Sequence, residues 1–305
     1  MKHTLYQKTR WILLAAIFLS LNGTRFLRAA ELKPETVKAW NAYVESTEAR
    51  MAEELMSQDK FLALDFQARD QVKQNRHKLI SGEIPITQVK SVDGKGREIK
   101  VPDGLIHHWR GSVFIPGVAL DDVYARVENP SVEDTRQEDV LDSAVLERDS
   151  ESLRLFLKLQ RSAIIKVVYN TEHQVYFQRR DEDEAWSRSI ATKITELENP
   201  QTPDEKEKPQ GNDRGFLWRL NSYWRYQQVN GGVIVELESI TLSRSIPAVF
   251  RVLVRPIINK VAHESMERTL DSMRTRLTRA HNVDTDVTSA TLKDHRTSSN
   301  PDTGI

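Results

Sequence analysis

The sequence predicts an α+β fold in which a curved antiparallel sheet wraps around a long C-terminal helix. Short segments rich in β-branched and aromatic residues repeat between residues 140 and 242, separated by polar breaks, as in an antiparallel meander. Asn230-Gly231-Gly232 joins two of the most apolar segments and is a strong hairpin signal. After Ile246, apolar residues recur at helical spacing. From Pro256 to Leu277 that helix would measure about 33 Å, which is enough to cross a whole sheet.

The first 30 residues have the pattern of a secretory signal peptide. Basic residues precede an apolar run at 11–21, and the small residues Ala29 and Ala30 follow it. The run is shorter than the roughly 20 residues that a membrane-spanning helix needs. We therefore expect residues 1–30 to be removed near Ala30. The mature protein would then be periplasmic or secreted, with no stable membrane anchor.

Charge and cysteine content argue against several classes of protein. The 305-residue chain has 44 basic and 44 acidic residues, and removal of residues 1–30 leaves 39 basic and 44 acidic ones, a net charge of −5. A nucleic-acid-binding protein would need surplus positive charge, so we predict no nucleic-acid partner. Cysteine is absent from the sequence, which rules out disulfides, thiolate nucleophiles and thiolate metal sites.

Residues 31–100 are predicted to form an N-terminal helical extension followed by edge strands. Pro34 suits the first turn of a helix, and apolar residues at helical spacing carry that helix over about 34–56. An apolar patch at 61–66 would pack against the same helix. Short apolar runs between 76 and 101, with a turn signal at Asp93-Gly94, indicate two or three edge strands.

Residues 101–280 are predicted to form the main domain. A strand at 105–115 stops at Pro116-Gly117, and a helix with acidic residues in its first turn ends at Asn129-Pro130. A short helix at 131–137 would follow. Strand segments are then expected at 140–148, 153–159, 163–169, 174–180 and 185–197, with an exposed loop at 199–212.

The glycine turn fixes the pairing of the last two strands, predicted at 216–228 and 233–242. If Val229 opposes Gly232, then Tyr226 opposes Val235, Arg225 opposes Glu236, Trp224 opposes Leu237 and Tyr223 opposes Glu238. Because side chains alternate along a strand, the two resulting faces differ in character. Trp224, Tyr226, Val233, Val235 and Leu237 share the face that should point to the interior.

The last helix is predicted over 246–277, with a break or kink at Pro256. Its apolar stripe comprises Leu253, Ile257, Val261, Met266, Leu270, Met273 and Leu277. Residues 281–305, rich in Thr, Ser and Asp, are predicted to form a disordered tail.

This order of elements describes a helix-grip arrangement, and the chain resembles the START-like, or Bet v 1-like (SRPBCC), superfamily. The resemblance lies in a strand ending in IPG, the helix VALDDVYARVENP, and a hairpin before the closing helix. More narrowly, GLIHHWRGSVFIPG, GNDRGFLWRLNSYWRY and GGVIVELESITLSRSIP look like segments of an uncharacterised group of exported bacterial START-like proteins. The resemblance covers roughly 105–278. It implies a cavity between sheet and long helix that holds an apolar small molecule, such as a lipid, a sterol-like compound or a polyketide.

The candidate ligand-binding residues lie on the last hairpin and the last helix. The apolar candidates are Trp224, Tyr226, Val235, Leu237, Leu253, Ile257 and Val261. Arg225 and Glu236 share the opposite face of the hairpin. They are interpreted either as an exposed cross-strand ion pair or, if a bulge inverts the face, as polar groups inside the pocket. Glu236→Ala separates the two interpretations, because only a buried pair would make it strongly destabilising.

The leading hypothesis is a non-enzymatic exported domain that binds an apolar small molecule or lipid. A cyclase or aromatase type of enzyme is the alternative, and it would need Arg225, Glu236, Tyr223 or His107 to converge inside the pocket. A third possibility is a ligand-free interaction module whose 34–66 extension fills the groove. No catalytic residue and no cofactor is assigned. No metal is assigned either, since the adjacent His107 and His108 should point to opposite faces of a strand.

Overall fold

The computed structural model describes residues 32–297 except 136, 163–165, 210 and 247, and no side chain is described at 132, 133, 248–255 or 281–297. The predicted signal peptide and residues 298–305 lie outside the described residues. Among the described residues, no helix combines the length and the apolar character needed to cross a bilayer.

The N-terminal extension consists of two helices joined by a single 3₁₀ turn. Helix α1 spans Pro34–Leu55, the 3₁₀ turn spans Ala63–Phe66, and helix α2 spans Arg69–Ile80. The sequence predicts α1 and the apolar patch, but it does not predict α2. The reason is that α2 has no apolar stripe, since Leu79 is its one buried residue.

The strands form one antiparallel sheet. Their bounds are β1 Ile86–Gln88, β2 Gly104–Pro116, β3 Val140–Arg148, β4 Ser152–Ser162, β5 Lys166–Arg179, β6 Glu184–Glu198, β7 Lys206–Glu207, β8 Arg219–Val229 and β9 Gly232–Arg244. Across the described sheet the order is β1-β2-β9-β8-β6-β5-β4-β3, and β7 pairs with β6 off this path. Strand β1 is short, and the turn at Asp93-Gly94 is closed by one bridge between Val92 and Glu98.

The register predicted for the last hairpin is confirmed. Val229 lies opposite Gly232, and pairing continues without a shift as far as Arg219 and Leu242. Gly231 and Gly232 both have positive φ angles, which this turn requires and glycine adopts without a steric penalty.

The prediction of two strands at 163–169 and 174–180 is wrong, because β5 is one strand through both segments. The polar residues 170–173 resemble a turn in the sequence, but in the structure they are hydrogen-bonded and paired within the sheet. Thr171 donates a hydrogen bond to the Leu157 carbonyl (2.9 Å), and a register shift between Glu172 and His173 absorbs the irregularity.

Two short helices lie between β2 and β3. Helix α3 spans Leu120–Glu128 and α4 spans Val132–Thr135, close to the predicted bounds. Asp121 and Asp122 lie in the first turn of α3, where their negative charge interacts favourably with the positive end of the helix dipole. Leu120, Val123 and Tyr124 turn inward, so α3 covers one end of the sheet interior.

The C-terminal helix, α5, spans Ala248–Thr297 as one continuous helix through Pro256. The break predicted at Pro256 is therefore absent. The helix also continues into the segment predicted as a tail, because neither Pro nor Gly occurs between Ile257 and Thr297 to stop it.

The sheet is covered by helices on both faces. We call the face toward α5 the inner face and the face toward α1 the outer face. The inner core contains Val113, Ile115, Tyr226, Val235, Leu237, Met266, Leu270 and Leu277. The outer face packs against the extension through two clusters, one around Trp40, Tyr43, Ile240 and Leu242 and one around Phe61, Leu62, Leu79 and Ile234.

Candidate ligand groove

Helix α5 closes the curved sheet by reaching both of its edges. On one side it packs along β2 and β1. On the other, Arg268 and Ser265 each bind Asp139, just before the edge strand β3, at 3.1 Å. The central strands therefore lie beneath a helix that is held mainly at the two sides.

Gly111 allows this close packing. A Cβ atom at Gly111 would lie 2.8 Å from Leu270 Cδ1 and 3.1 Å from Met266 Sδ, closer than ordinary contact. Because Gly111 has no side chain, α5 can press two buried apolar residues against β2.

Between α5 and the central strands, several inner-face apolar side chains are only partly buried. Trp109, Leu155, Val175 and Trp224 pack against the inner core but keep part of their surface accessible. Their neighbours Val113 and Val235 are completely buried. These four side chains therefore keep accessible apolar surface on the inner face, and they are the candidate lining of a groove between the sheet and α5.

The predicted apolar site residues on the hairpin lie on the inner face. Tyr226, Val235 and Leu237 are buried in the inner core, and Trp224 lies beside them with its ring parallel to Tyr226, 6.5 Å between centroids. The Tyr226 hydroxyl contacts the Ser187 hydroxyl (3.2 Å).

The predicted site residues on the helix are less clearly placed. Ile257 and Val261 are half-buried, and the side chain of Leu253 is outside the described part of the chain. Met266, Leu270 and Leu277 make the main apolar contact of α5 with the inner core.

A row of serines crosses the inner face of the central strands. Ser189 on β6 lies opposite Ser222 on β8, and Ser222 lies opposite Ser239 on β9. The same row continues to Trp109 on β2. We call Ser189, Ser222 and Ser239 the serine row. All three are half-buried and share the inner face with the apolar groove residues.

The hydrogen-bonding capacity of this row is largely unused. Among the described residues, the hydroxyls of Ser222 and Ser239 have no hydrogen-bond partner, and the buried Nε1 of Trp109 has no acceptor. His263 of α5 packs edge-on against Trp109, 6.0 Å between ring centroids. The inner face of the central strands therefore presents uncharged hydrogen-bonding groups.

Ser189 is the member of the row with a protein partner. Its hydroxyl lies 3.4 Å from His173 Nδ1. The hydroxyl proton of Thr171 is donated to Leu157, so Thr171 Oγ1 accepts a hydrogen bond from His173 Nε2 (2.9 Å). This leaves Nδ1 as the acceptor of the neutral imidazole. Burial, assisted by the charge of Arg161, lowers the pKa of His173 to about 4, which keeps the ring uncharged near pH 7.

Arg225 and Glu236 lie on the outer face, and both interpretations of this pair are wrong. They stand opposite each other with no bulge between them, but the N-terminal extension buries them. Arg225 donates to Glu54 of α1 (2.6 Å) and to the Phe61 carbonyl (2.7 Å). Glu236 accepts hydrogen bonds from the backbone amides of Ala63 (2.7 Å) and Leu64 (3.1 Å).

The outer face carries further buried charge beside this pair. Glu238 accepts a hydrogen bond from His108 Nε2 (2.6 Å) and pairs with Arg50 of α1. Burial alone would raise the pKa of Glu238, but the hydrogen bond and charge of His108, with Arg50 and Arg110, lower it to about 2. At Glu236 burial dominates and raises the pKa. This network fastens the extension to the sheet.

The groups required by the enzyme hypothesis do not converge. Arg225, Glu236 and Tyr223 lie on the outer face, and Tyr223 donates to Glu48 of α1 (2.7 Å). His107 does face inward, where its Nε2 lies 3.1 Å from the Ser243 hydroxyl. Burial lowers the pKa of His107 to about 4. No cluster of three or more metal-ligating side chains occurs in the described part of the chain.

The extension does not fill the groove under α5, because α1 and the 3₁₀ turn lie on the outer face. A separate open groove of about 640 Å³ lies there, between α1 and strands β6 and β8. Trp40, Val44, Glu48, Ile190 and Arg219 are among its lining residues.

Sequence reasoning missed the serine row and His173. Single serines in strands carry no signal by themselves. Only the pairing of β6, β8, β9 and β2 brings them into one line, and of these pairings the sequence specifies β8 with β9 alone. Once that register is known, the Ser222–Ser239 pair follows from it.

No family model and no curated protein matches the chain. Solved structures similar to it include the STAR-related lipid transfer protein from Xanthomonas axonopodis, 17% identical, covering 63% of this chain and 98% of that one, with a TM-score of 0.41. The Zhui aromatase/cyclase from Streptomyces sp. R1128 is 10% identical, covering 57% and 95%, with a TM-score of 0.40. Human STARD10 is 6% identical, covering 72% and 83%, with a TM-score of 0.39.

The fold follows from the strand order and from the position of α5 in this chain. A curved antiparallel sheet, two short helices after its second strand and a long C-terminal helix across its inner face are all present. The chain has the helix-grip fold that its resemblance to the START-like (SRPBCC) superfamily implies.

Proposed function

We propose that this protein binds an apolar small molecule, such as a lipid, in the groove between the inner face of the sheet and α5. The observation that carries the proposal is the partial exposure of Trp109, Leu155, Val175 and Trp224 within an otherwise buried apolar face. Apolar surface that borders open space gains about 25 cal/mol for each Å² that a ligand covers. Small-molecule sites are typically apolar in this way, with a few polar groups.

A non-enzymatic carrier or sensor fits the inner face better than a cyclase. Three of the four polar groups that an enzyme of that type would use, Arg225, Glu236 and Tyr223, are engaged on the outer face, where they hold the extension. The extension leaves the groove under α5 uncovered, which favours ligand binding over a ligand-free interaction module. Export through a signal peptide remains part of the proposal, and mass determination of the N-terminus of protein from the native host tests it.

The proposed function is tested by extraction of the protein from its native host followed by mass spectrometry. We expect a bound apolar compound in a fixed ratio to the protein. Leu155→Trp, which places a larger side chain in the groove, should remove that compound while the protein stays folded. Leu146→Trp on the exposed side of β3 is the matched control and should retain it. Extracts free of any apolar compound, or equal retention by both variants, would contradict the proposal.

A further inference from the structure

We infer that the ligand carries an uncharged oxygen-containing group, of the carbonyl type, at an interior position of its skeleton. This inference rests on the proposed function and deepens it. The serine row and Trp109 are the groups that would receive that oxygen. They lie across the middle strands of the sheet, with the apolar pair Trp224 and Leu237 on one side and Leu220, Thr241 and His107 on the other.

The position of the row sets where the polar group lies. The next inner-face row toward α3 contains Trp224 and Leu237, which lie opposite each other on β8 and β9. On β5, Val175 lies opposite Ser189. A bound molecule that contacts the serine row therefore also contacts apolar side chains beside it. A polar group at the end of a chain would leave the row without a partner or place apolar atoms against it.

The unused donors set the polarity of that group. Trp109 Nε1 can only donate a hydrogen bond, and Ser222 and Ser239 can donate because no described group accepts from them. A carbonyl oxygen accepts two hydrogen bonds, so it matches two such donors. Because Trp109 Nε1 has no acceptor among the described residues, a ligand oxygen that reaches it removes an existing cost in free energy, whereas a ligand without oxygen does not.

The lack of charge on the row itself disfavours an ionic head group at this position. His173 is neutral because burial lowers its pKa, and Ser189 donates to it. The side chains of the row itself are uncharged, and a carboxylate or phosphate placed against Ser222 and Ser239 would exchange its hydration for neutral donors. An uncharged oxygen avoids that cost.

The test compares two neutral probes with one carbon skeleton, butyrophenone and butylbenzene, which differ by a carbonyl in place of a methylene. Each displaces Nile red from the purified full-length protein, and the concentration for half displacement is measured. Ser239→Ala and Ser222→Ala should each weaken butyrophenone about fivefold, the factor that one neutral hydrogen bond supplies, and leave butylbenzene unchanged. Ser150→Ala, at an exposed turn, is the control and should change neither probe.

The outcomes separate the inference from the proposed function. If both probes displace Nile red and neither variant distinguishes them, the inference is wrong and the apolar groove stands. If neither probe displaces Nile red and Leu155→Trp does not alter Nile red binding, the proposed function is wrong and the inference falls with it. Thermal unfolding of each variant confirms that it is folded. Because the two substitutions lie on different strands, the same result from both cannot come from one local distortion.

Discussion

Arg225 and Glu236 lie directly opposite each other on neighbouring strands, yet each makes its strong contacts with the N-terminal extension. Arg225 binds Glu54 and the Phe61 carbonyl, while Glu236 binds the amides of Ala63 and Leu64. The pair therefore fastens the N-terminal extension to the outer face of the sheet. The polar outer face is buried by the extension, which leaves the inner face to the groove.

Glu236→Ala should strongly destabilise the protein. The substitution leaves two buried backbone amides without an acceptor and Arg225 beside an uncompensated site, and loss of one member of such a buried network costs about 3 to 5 kcal/mol. Thermal unfolding should show a midpoint lower by many degrees. Glu147→Ala, whose side chain is 68% exposed, should shift the midpoint little. Equal, small shifts in both variants would show that the outer face is not anchored in this way.

His173 should make stability depend on pH between about 6.5 and 4. The unfolded chain takes up a proton at its ordinary pKa of 6.5, whereas the buried ring takes it up only at about 4. The unfolded state therefore binds more protons in this window, and stability falls as the pH falls through it, by an amount of the order of 3 kcal/mol. Urea unfolding at several pH values measures the slope, and His173→Gln should reduce it. A slope unchanged by the substitution would contradict the neutral, buried ring.

Glu238 should produce a second, more acidic loss of stability. Its pKa in the folded protein is about 2, below the ordinary value of 4.5, so its stabilising contribution is complete above pH 4.5 and is lost as the pH falls toward 2. Glu238→Gln should flatten the unfolding free energy in this range, although the variant is less stable at neutral pH because Arg50 and His108 lose their partner. If the unfolding free energy of the wild type and of Glu238→Gln fell equally steeply between pH 4.5 and 2, other carboxylates would be responsible for the loss of stability.

Gly111→Val should displace α5. The new side chain would meet Leu270 and Met266 at distances that require the helix to move, and overpacking of this kind costs about 1 to 3 kcal/mol. We expect a lower unfolding midpoint together with altered Nile red binding. A Gly94→Val control at a turn where a Cβ atom meets nothing should alter neither property. Unchanged dye binding in the Gly111 variant would indicate that α5 does not border the groove.

The fold was predictable where a local signal determines a long-range contact. Asn230-Gly231-Gly232 sets the register of β8 and β9, and the apolar stripe of α5 identifies the helix that closes the sheet. The elements that were not predicted correctly lack such a signal. Helix α2 buries a single side chain, and the polar residues 170–173 acquire their partners only after β4, β5 and β6 have paired.

The candidate site was predictable in part for a similar reason. Alternation along the hairpin correctly separates Tyr226 from Arg225, because the two faces of a strand follow from sequence position alone. What covers each face does not follow from it. No feature of the sequence indicates that α1 packs over Arg225. None indicates either that Ser189 and Trp109 lie in one row with residues far away in the chain.

The most direct test of the account is photolabelling with a neutral long-chain alkyl diazirine, followed by identification of the labelled residues. If the ligand binds between sheet and α5, label should be found near Leu155, Trp224 and Met273, and excess butylbenzene should prevent it. Label confined to α1 and the outer groove near Trp40 and Arg219, or label that excess butylbenzene does not reduce, would contradict the account.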